Sequence, residues 1–242
     1  MPAGTATQSN VWARRFRPAP EVPTRLVCFP HAGGSASFCF PVAKEMAPEV
    51  DVLAIQYPGR QDRRAEPSVD SIHTLADLVA EELTGWADRP LTLFGHSMGA
   101  MPAYEAAARI EQRGIVPLGL FASGRRAPST YCDENVHLRD DEGLIDEMKE
   151  LSGTDAEILA NEELLRMILP AIRGDYRAVE TYRHRPEQPP LGCPIVTLIG
   201  DDDPKVTPDE ARAWERHTAD SSGCRSRATA RTASAHVREW WR

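Results

Sequence analysis

Ten residues, Leu91–Ala100 (LTLFGHSMGA), constrain this chain more than any other stretch. Leu91–Phe94 is a short apolar run of strand type. Gly95-His96-Ser97-Met98-Gly99 fits G-x-S-x-G, and Ala100 onward reads as helix. The pattern sets a serine on a sharp strand-to-helix turn, with its Oγ held out at the carboxyl edge of a sheet. Glycines are needed on both sides because neighbouring backbone passes so close that a Cβ would clash. Ser97 also opens a helix, where free N–H groups and the dipole favour a developing negative charge. Five residues alone recur by chance as an ordinary glycine-rich turn. Here the strand before and the helix after are both readable, so Ser97 is expected to be a nucleophile.

Strands and helices alternate around this turn. Apolar runs at 25–29, 50–57, 118–123 and 194–199 read as strands. Residues 71–86 carry apolar side chains at helical spacing, and the helix opened by the serine turn runs to Gly114. Such alternation means βαβ units, hence an α/β class with a mostly parallel sheet. Residues 125–190 hold no convincing strand. Helices are predicted at 143–151 and 156–182, with Pro170 starting a new helix or kinking this one. An all-helical insertion beyond the edge that carries the nucleophile is a lid. Met101, Met148 and Met167 either line an acyl channel or fill core. Residues 1–23 are polar and proline-punctuated and are expected to lie over the surface, leaving 24–218 as the domain.

Composition narrows the class. The 242 residues suit one such domain, and a net charge of -8 argues against nucleic acid as a partner and gives no pull toward an anionic membrane. No apolar run approaches the ~20 residues that span a bilayer, and the N-terminus lacks the apolar core of a secretory signal. The five cysteines are scattered and form no C-x-x-C pair, as in a reduced, cytoplasmic protein without structural zinc.

Two further stretches belong to the same chemistry. The strand at 25–29 runs into Pro30-His31-Ala32-Gly33-Gly34-Ser35, a glycine-rich loop that can turn backbone N–H groups inward or be a plain turn. Beside a nucleophile elbow it would supply half of an oxyanion hole, from the amides of Ala32 and of Met98. The last strand ends in Gly200-Asp201-Asp202-Asp203-Pro204, where the orienting carboxylate of a Ser…Asp…His order belongs. Asp203 is the first choice and Asp201 the second; a solvated acidic turn or a weak cation site is the plain alternative. Thr207, Pro208 and Glu210 then form a capping box.

Taken together, FPHAGGSASF, QYPGRQDRRAEP, FGHSMGA, SGRRAP and GDDDPKVTP resemble the type II thioesterases of polyketide and nonribosomal peptide assembly lines, from about Leu26 to His217. The resemblance implies an α/β-hydrolase fold with a helical lid. It also implies hydrolysis of stalled or mis-primed acyl groups from the phosphopantetheine arm of an acyl or peptidyl carrier protein. It makes Ser97 the nucleophile, Ala32 and Met98 the oxyanion donors and Asp203 the triad acid, with no metal and no dissociable cofactor. A small-ester esterase and a catalytically impaired carrier-binding homologue are the other readings. A carrier is usually acidic, so a basic patch would have to meet it; Arg60, Arg63, Arg64, Arg125 and Arg126 are the candidates.

The chain departs from that pattern after Thr218. ADSSGCRSRATARTASAHVREWWR shows no apolar strand, no Gly-Gly-His and no closing amphipathic helix. Among the histidines, His236 is the one placed late enough to serve as base, with His217 second. His31 and His96 are expected to shape the loop and the elbow, and His73, His137 and His184 to be surface or packing residues.

Overall fold

The computed structural model describes residues 11–150, 161–200, 203–220 and 224–229. Seven strands form one sheet: β1 (Ala13–Arg14), β2 (Arg25–Phe29), β3 (Asp51–Ile55), β4 (Leu91–His96), β5 (Gly119–Ser123), β6 (Ile195–Gly200) and β7 (Cys224–Thr229). Their order is β1-β3-β2-β4-β5-β6-β7, with β1 antiparallel and every other pairing parallel. Every residue of β2 and β3 is buried, as continuous apolar runs require when helices cover both faces. Alternate side chains divide between the faces. Val27, Phe29, Leu53 and Ile55 pack with α2 (Ile72–Thr84) and α3 (Ala100–Glu111). Leu26, Cys28, Val52 and Ala54 pack with α1 (Phe40–Met46). This is the α/β-hydrolase arrangement expected from the sequence.

The lid is helical among its described residues: α4 (Asp141–Glu150) and α5 (Glu162–Glu180) enclose a separate apolar cluster of Val136, Leu144, Met148, Leu165, Leu169 and Ile172 with Tyr176. A short α6 (Pro208–Arg212) carries the predicted capping box on Thr207 and Glu210.

Three expectations need correction, and one helix stands where none was read. Residues 1–23 do not merely cross the surface: Ala13–Arg14 pairs with β3, and Ala13 and Ala19 are buried. A helix, α1, occupies the stretch between the first two predicted strands, with Pro41 in its first turn. Pro170 neither ends α5 nor divides it. Its own side chain faces solvent while Leu169, Ala171 and Ile172 are buried, so lid packing holds the flanking turns. The strand-free reading of the tail fails at β7, which pairs in parallel along all of β6. A ladder is made by backbone groups, so an edge strand of low apolar content satisfies the open edge of β6 as well as an apolar one would.

Candidate active site

Ser97, the Pro30–Ser35 loop and Asp203 all follow strands that end at the carboxyl edge of the sheet. His96 ends β4, and its Cα lies opposite Ser123 at the end of β5, while Phe29 at the end of β2 lies opposite Gly95. Ser97 follows with φ +51°, a left-handed conformation that a non-glycine residue holds at a cost of about 1–3 kcal/mol. Close backbone approach imposes it. A Cβ on Gly95 would lie 2.3 Å from the Gly99 carbonyl oxygen, and one on Gly99 would lie 2.2 Å from the Phe29 carbonyl oxygen and 2.6 Å from that of Pro30. The elbow is therefore wedged against the start of the Pro30–Ser35 loop. Among the described residues the Ala32 N–H donates to no group, whereas the Gly33 and Gly34 amides are both engaged. Met98 is buried in the first turn after the nucleophile, where amides have no carbonyl of their own helix ahead of them.

Asp203 stands three residues past β6 on the same edge. Its Oδ1 accepts from the amides of Lys205 (2.9 Å) and Val206 (3.1 Å), which fixes the carboxyl group and leaves Oδ2 unengaged among the described residues. That suits an orienting carboxylate as well as it suits a capped turn. Asp201 and His236 lie outside the described residues.

The other histidines are occupied. His96 Nδ1 is 3.1 Å from Ser123 Oγ, and burial, with the neighbouring His31, pulls its pKa down to about 3. The His31 ring packs edge-on against Phe38 at 4.5 Å. His217 is buried between Tyr104 Oη (3.2 Å from Nδ1) and Ser129 Oγ (2.9 Å from Nε2). Burial first, then His184, lowers its pKa to about 4. Both ring nitrogens are taken by groups other than Ser97. These two depressed histidines set an acid limb. Each is neutral when folded and protonates on unfolding below its ordinary value near 6.5. Stability should thus be level above pH 6.5 and fall as pH drops toward 4, by about 1.4 kcal/mol per pH unit for each histidine. Thermal melts across pH 4–8 check this, with His217→Gln expected to flatten the slope.

The expected basic patch is mostly interior. Arg60 is 8 % exposed, Arg63 6 % and Arg126 7 %. Arg63 pairs with Glu66, donates to the Gln56 carbonyl (2.8 Å) and lies 4.2 Å over the Trp12 ring. Arg126 binds Glu134 and the Lys205 carbonyl. Charged runs such as RQDRR read as solvated, but here they close loops over the sheet edge. Only Arg64 and the half-buried Arg125 keep some access to solvent. Arg63→Ala should accordingly lower Tm by about 5–10 °C, through the orphaned Gln56 carbonyl, which a calorimetric melt decides.

A cavity of ≈ 400 Å³ lies between lid and core, lined by Met101, Arg125, Ser129, Tyr131, Tyr182 and His184. Its size falls in the range of small-molecule sites. Of the three methionines, Met101 lines this cavity, Met148 is lid core and Met167 is 58 % exposed.

One residue missed in the sequence also reaches this edge. Asp175 on α5 binds the Gly33 amide and pairs with Arg60. The signal was present: Asp175 stands in register with Ile172, Tyr176 and Val179, a carboxylate on the apolar face of a helix.

The thioesterase domain model matches residues 24–226, which takes in the start of β7. A probable cadicidin biosynthesis thioesterase of Streptomyces griseus is 55 % identical over 207 residues, covering 86 % of this chain and 57 % of that protein, so the chain spans little more than half of its length. A thioesterase of Streptomyces venezuelae is 52 % identical over 213 residues, 87 % of this chain and 75 % of the relative. The solved structure of the type II thioesterase BorB, from the borrelidin biosynthetic cluster, matches with a TM-score of 0.84 and 51 % identity over 93 % of this chain and 91 % of its own. A strained serine wedged against a glycine-rich loop, a helical lid over that edge and these likenesses give one conclusion: the chain belongs to the thioesterase family, among the type II thioesterases.

Proposed function

We propose that the chain hydrolyses aberrant or stalled acyl thioesters from the phosphopantetheine arm of an acyl or peptidyl carrier protein through an acyl-serine intermediate. The observation that carries this is the interlock of Ser97, at φ +51°, with the Phe29 and Pro30 carbonyls through Gly99. The Ala32 amide, which donates to no group among the described residues, supports its reading as an oxyanion donor. Ser97 Oγ attacks the thioester carbonyl and its proton passes to an imidazole. The oxyanion accepts from the Ala32 and Met98 amides, each worth on the order of 3 kcal/mol in other hydrolases. The C–S bond then breaks, and the imidazole returns the proton to the leaving thiol. Water, deprotonated by the same imidazole, cleaves the acyl-serine. We assign the base to His236 and its orienting carboxylate to Asp203, with Asp201 second; the fixed Oδ1 of Asp203 supports the choice. These steps call for water and groups of the chain alone, so no metal or dissociable cofactor is expected.

The carrier brings the arm, and the enzyme acts as a cytoplasmic monomer without nucleic acid or membrane. Three buried, unpaired cysteines support the reducing compartment. No helix among the described residues is long and apolar enough to cross a membrane.

An intact-mass time course of a propionyl-loaded carrier, beside hydrolysis of a soluble nitrophenyl ester, tests the reading. Loss of the propionyl mass at a far higher kcat/KM than for the ester is the expected result. Preference for the ester would make the chain a small-ester esterase. Carrier binding with neither reaction would make it an impaired homologue.

A further inference from the structure

Resting on the thioesterase reading, we propose that Asp175 is a positioning residue for the oxyanion hole: a carboxylate supplied by the lid helix α5 that fixes the turn presenting the Ala32 amide. Its Oδ2 accepts the Gly33 N–H at 2.7 Å. The Arg60 guanidinium clasps both carboxylate oxygens at 2.8 Å and donates to the Gly34 carbonyl at 2.9 Å. The Gly34 amide closes the turn on the His31 carbonyl at 2.9 Å. Amides and carbonyls on both sides of Ala32 are thus anchored, and the Ala32 N–H is left over.

The anchors come from three separate elements: the loop after β2, the loop after β3 and α5. Gly33 needs its φ of +75° for this turn, and Ile172, one turn before Asp175, fills the space where a Cβ would stand at 2.8 Å. Gln56 backs the arrangement, accepting from the Ala36 amide and donating to the Arg60 carbonyl. Burial works against the charge of Arg60, yet Asp175 outweighs it and raises the pKa of the guanidinium.

A buried ion pair of this kind is a poor source of net stability, since desolvation offsets most of the attraction. Asp175 is 1 % exposed. What such a pair does well is hold geometry, because two fork-shaped groups meet in one orientation only. Here the geometry held is that of the oxyanion turn. It persists only while α5 lies on the core, so lid position and the catalytic competence of Ala32 are linked through one carboxylate.

Asp175→Asn is nearly isosteric and tests this in the full chain. The amide can satisfy Gly33 or Arg60 but cannot hold both as the carboxylate does. With propionyl carrier as substrate, kcat should fall by about 30-fold with KM within about twofold, since misplacing a donor acts in the transition state. Amide hydrogen exchange at 31–35 should quicken while α3 stays protected. Arg25→Gln, which breaks a buried ion pair at the far, amino edge of β2, serves as the control. It should lower Tm without changing kcat or exchange at 31–35.

If Asp175→Asn does not fold, Arg60→Lys carries the same readouts, with kcat down about fivefold. Unchanged exchange at 31–35 together with kcat within twofold of wild type would overturn the proposal. A wild-type chain with no turnover would sink the thioesterase reading instead, and the exchange rates would still decide whether Asp175 holds the turn.

Discussion

Ser97→Ala is expected to slow release of propionate from a loaded carrier by on the order of 10⁵–10⁶-fold while leaving the fold intact. The size follows from what the serine does. Without Oγ there is no acyl-enzyme, and only binding and the two amides remain, which in other serine hydrolases retain about 10³–10⁴-fold over water. Alanine at φ +51° is strained as serine is, so the elbow persists and Tm should move by no more than a few degrees. His236→Ala is expected to lose about as much as Ser97→Ala, and the double variant no more than either, because nucleophile and base act as one unit. Intact-mass time courses on the three variants check this. If His236→Ala kept the wild-type rate, the base would lie elsewhere and the assignment to the tail would fall. His217 would be no substitute without leaving both Tyr104 and Ser129.

Much of this arrangement is legible in the sequence. Leu26–Phe29 and Leu91–Phe94 read as buried strands because continuous apolar runs bounded by glycine and proline have no other stable use. The elbow was legible for a related reason. Only a backbone crossing requires glycine at both 95 and 99, and the oxygens of Gly99 and Phe29 do stand where those Cβ atoms would be. What stayed hidden depends on partners distant in sequence. Ala13–Arg14 is too short to show a period, and Cys224–Thr229 is a strand because β6 offers an open ladder. The arginines of QYPGRQDRR look like a solvated run. The burial of Arg60 is visible only when Asp175, 115 positions away, comes into contact, and that of Arg63 only when Trp12 lies under it, while Arg64 stays exposed. The fold and the nucleophile are local messages, while the clamp behind the oxyanion turn is a tertiary one.

Gly99→Ala is expected to be a severely damaging single methyl addition, lowering Tm by about 10 °C or more or leaving the protein insoluble. The added Cβ would sit 2.2 Å from the Phe29 carbonyl oxygen, 2.8 Å from its carbon and 2.6 Å from the Pro30 oxygen. All three are backbone atoms, so no rotamer change relieves the overlap. Either β4 separates from β2 at the Phe29–Gly95 register or the turn into α3 opens. Both routes disrupt the main core, and overpacking that backbone must absorb costs upwards of about 4 kcal/mol, a large share of a stability of roughly 5–15 kcal/mol. Gly114→Ala supplies the comparison. Gly114 has φ +81° but open space where the Cβ would go, so only the left-handed penalty of about 1–2 kcal/mol applies, and Tm should fall by about 2–6 °C. Melting curves on both variants separate crowding from backbone conformation. Equal losses would mean that the interlock of elbow and oxyanion loop is not as tight as the Gly99 distances require. The expected large difference would place the cost at the contact that also presents Ser97 to its substrate. Fold stability and catalytic geometry would then rest on the same missing side chain.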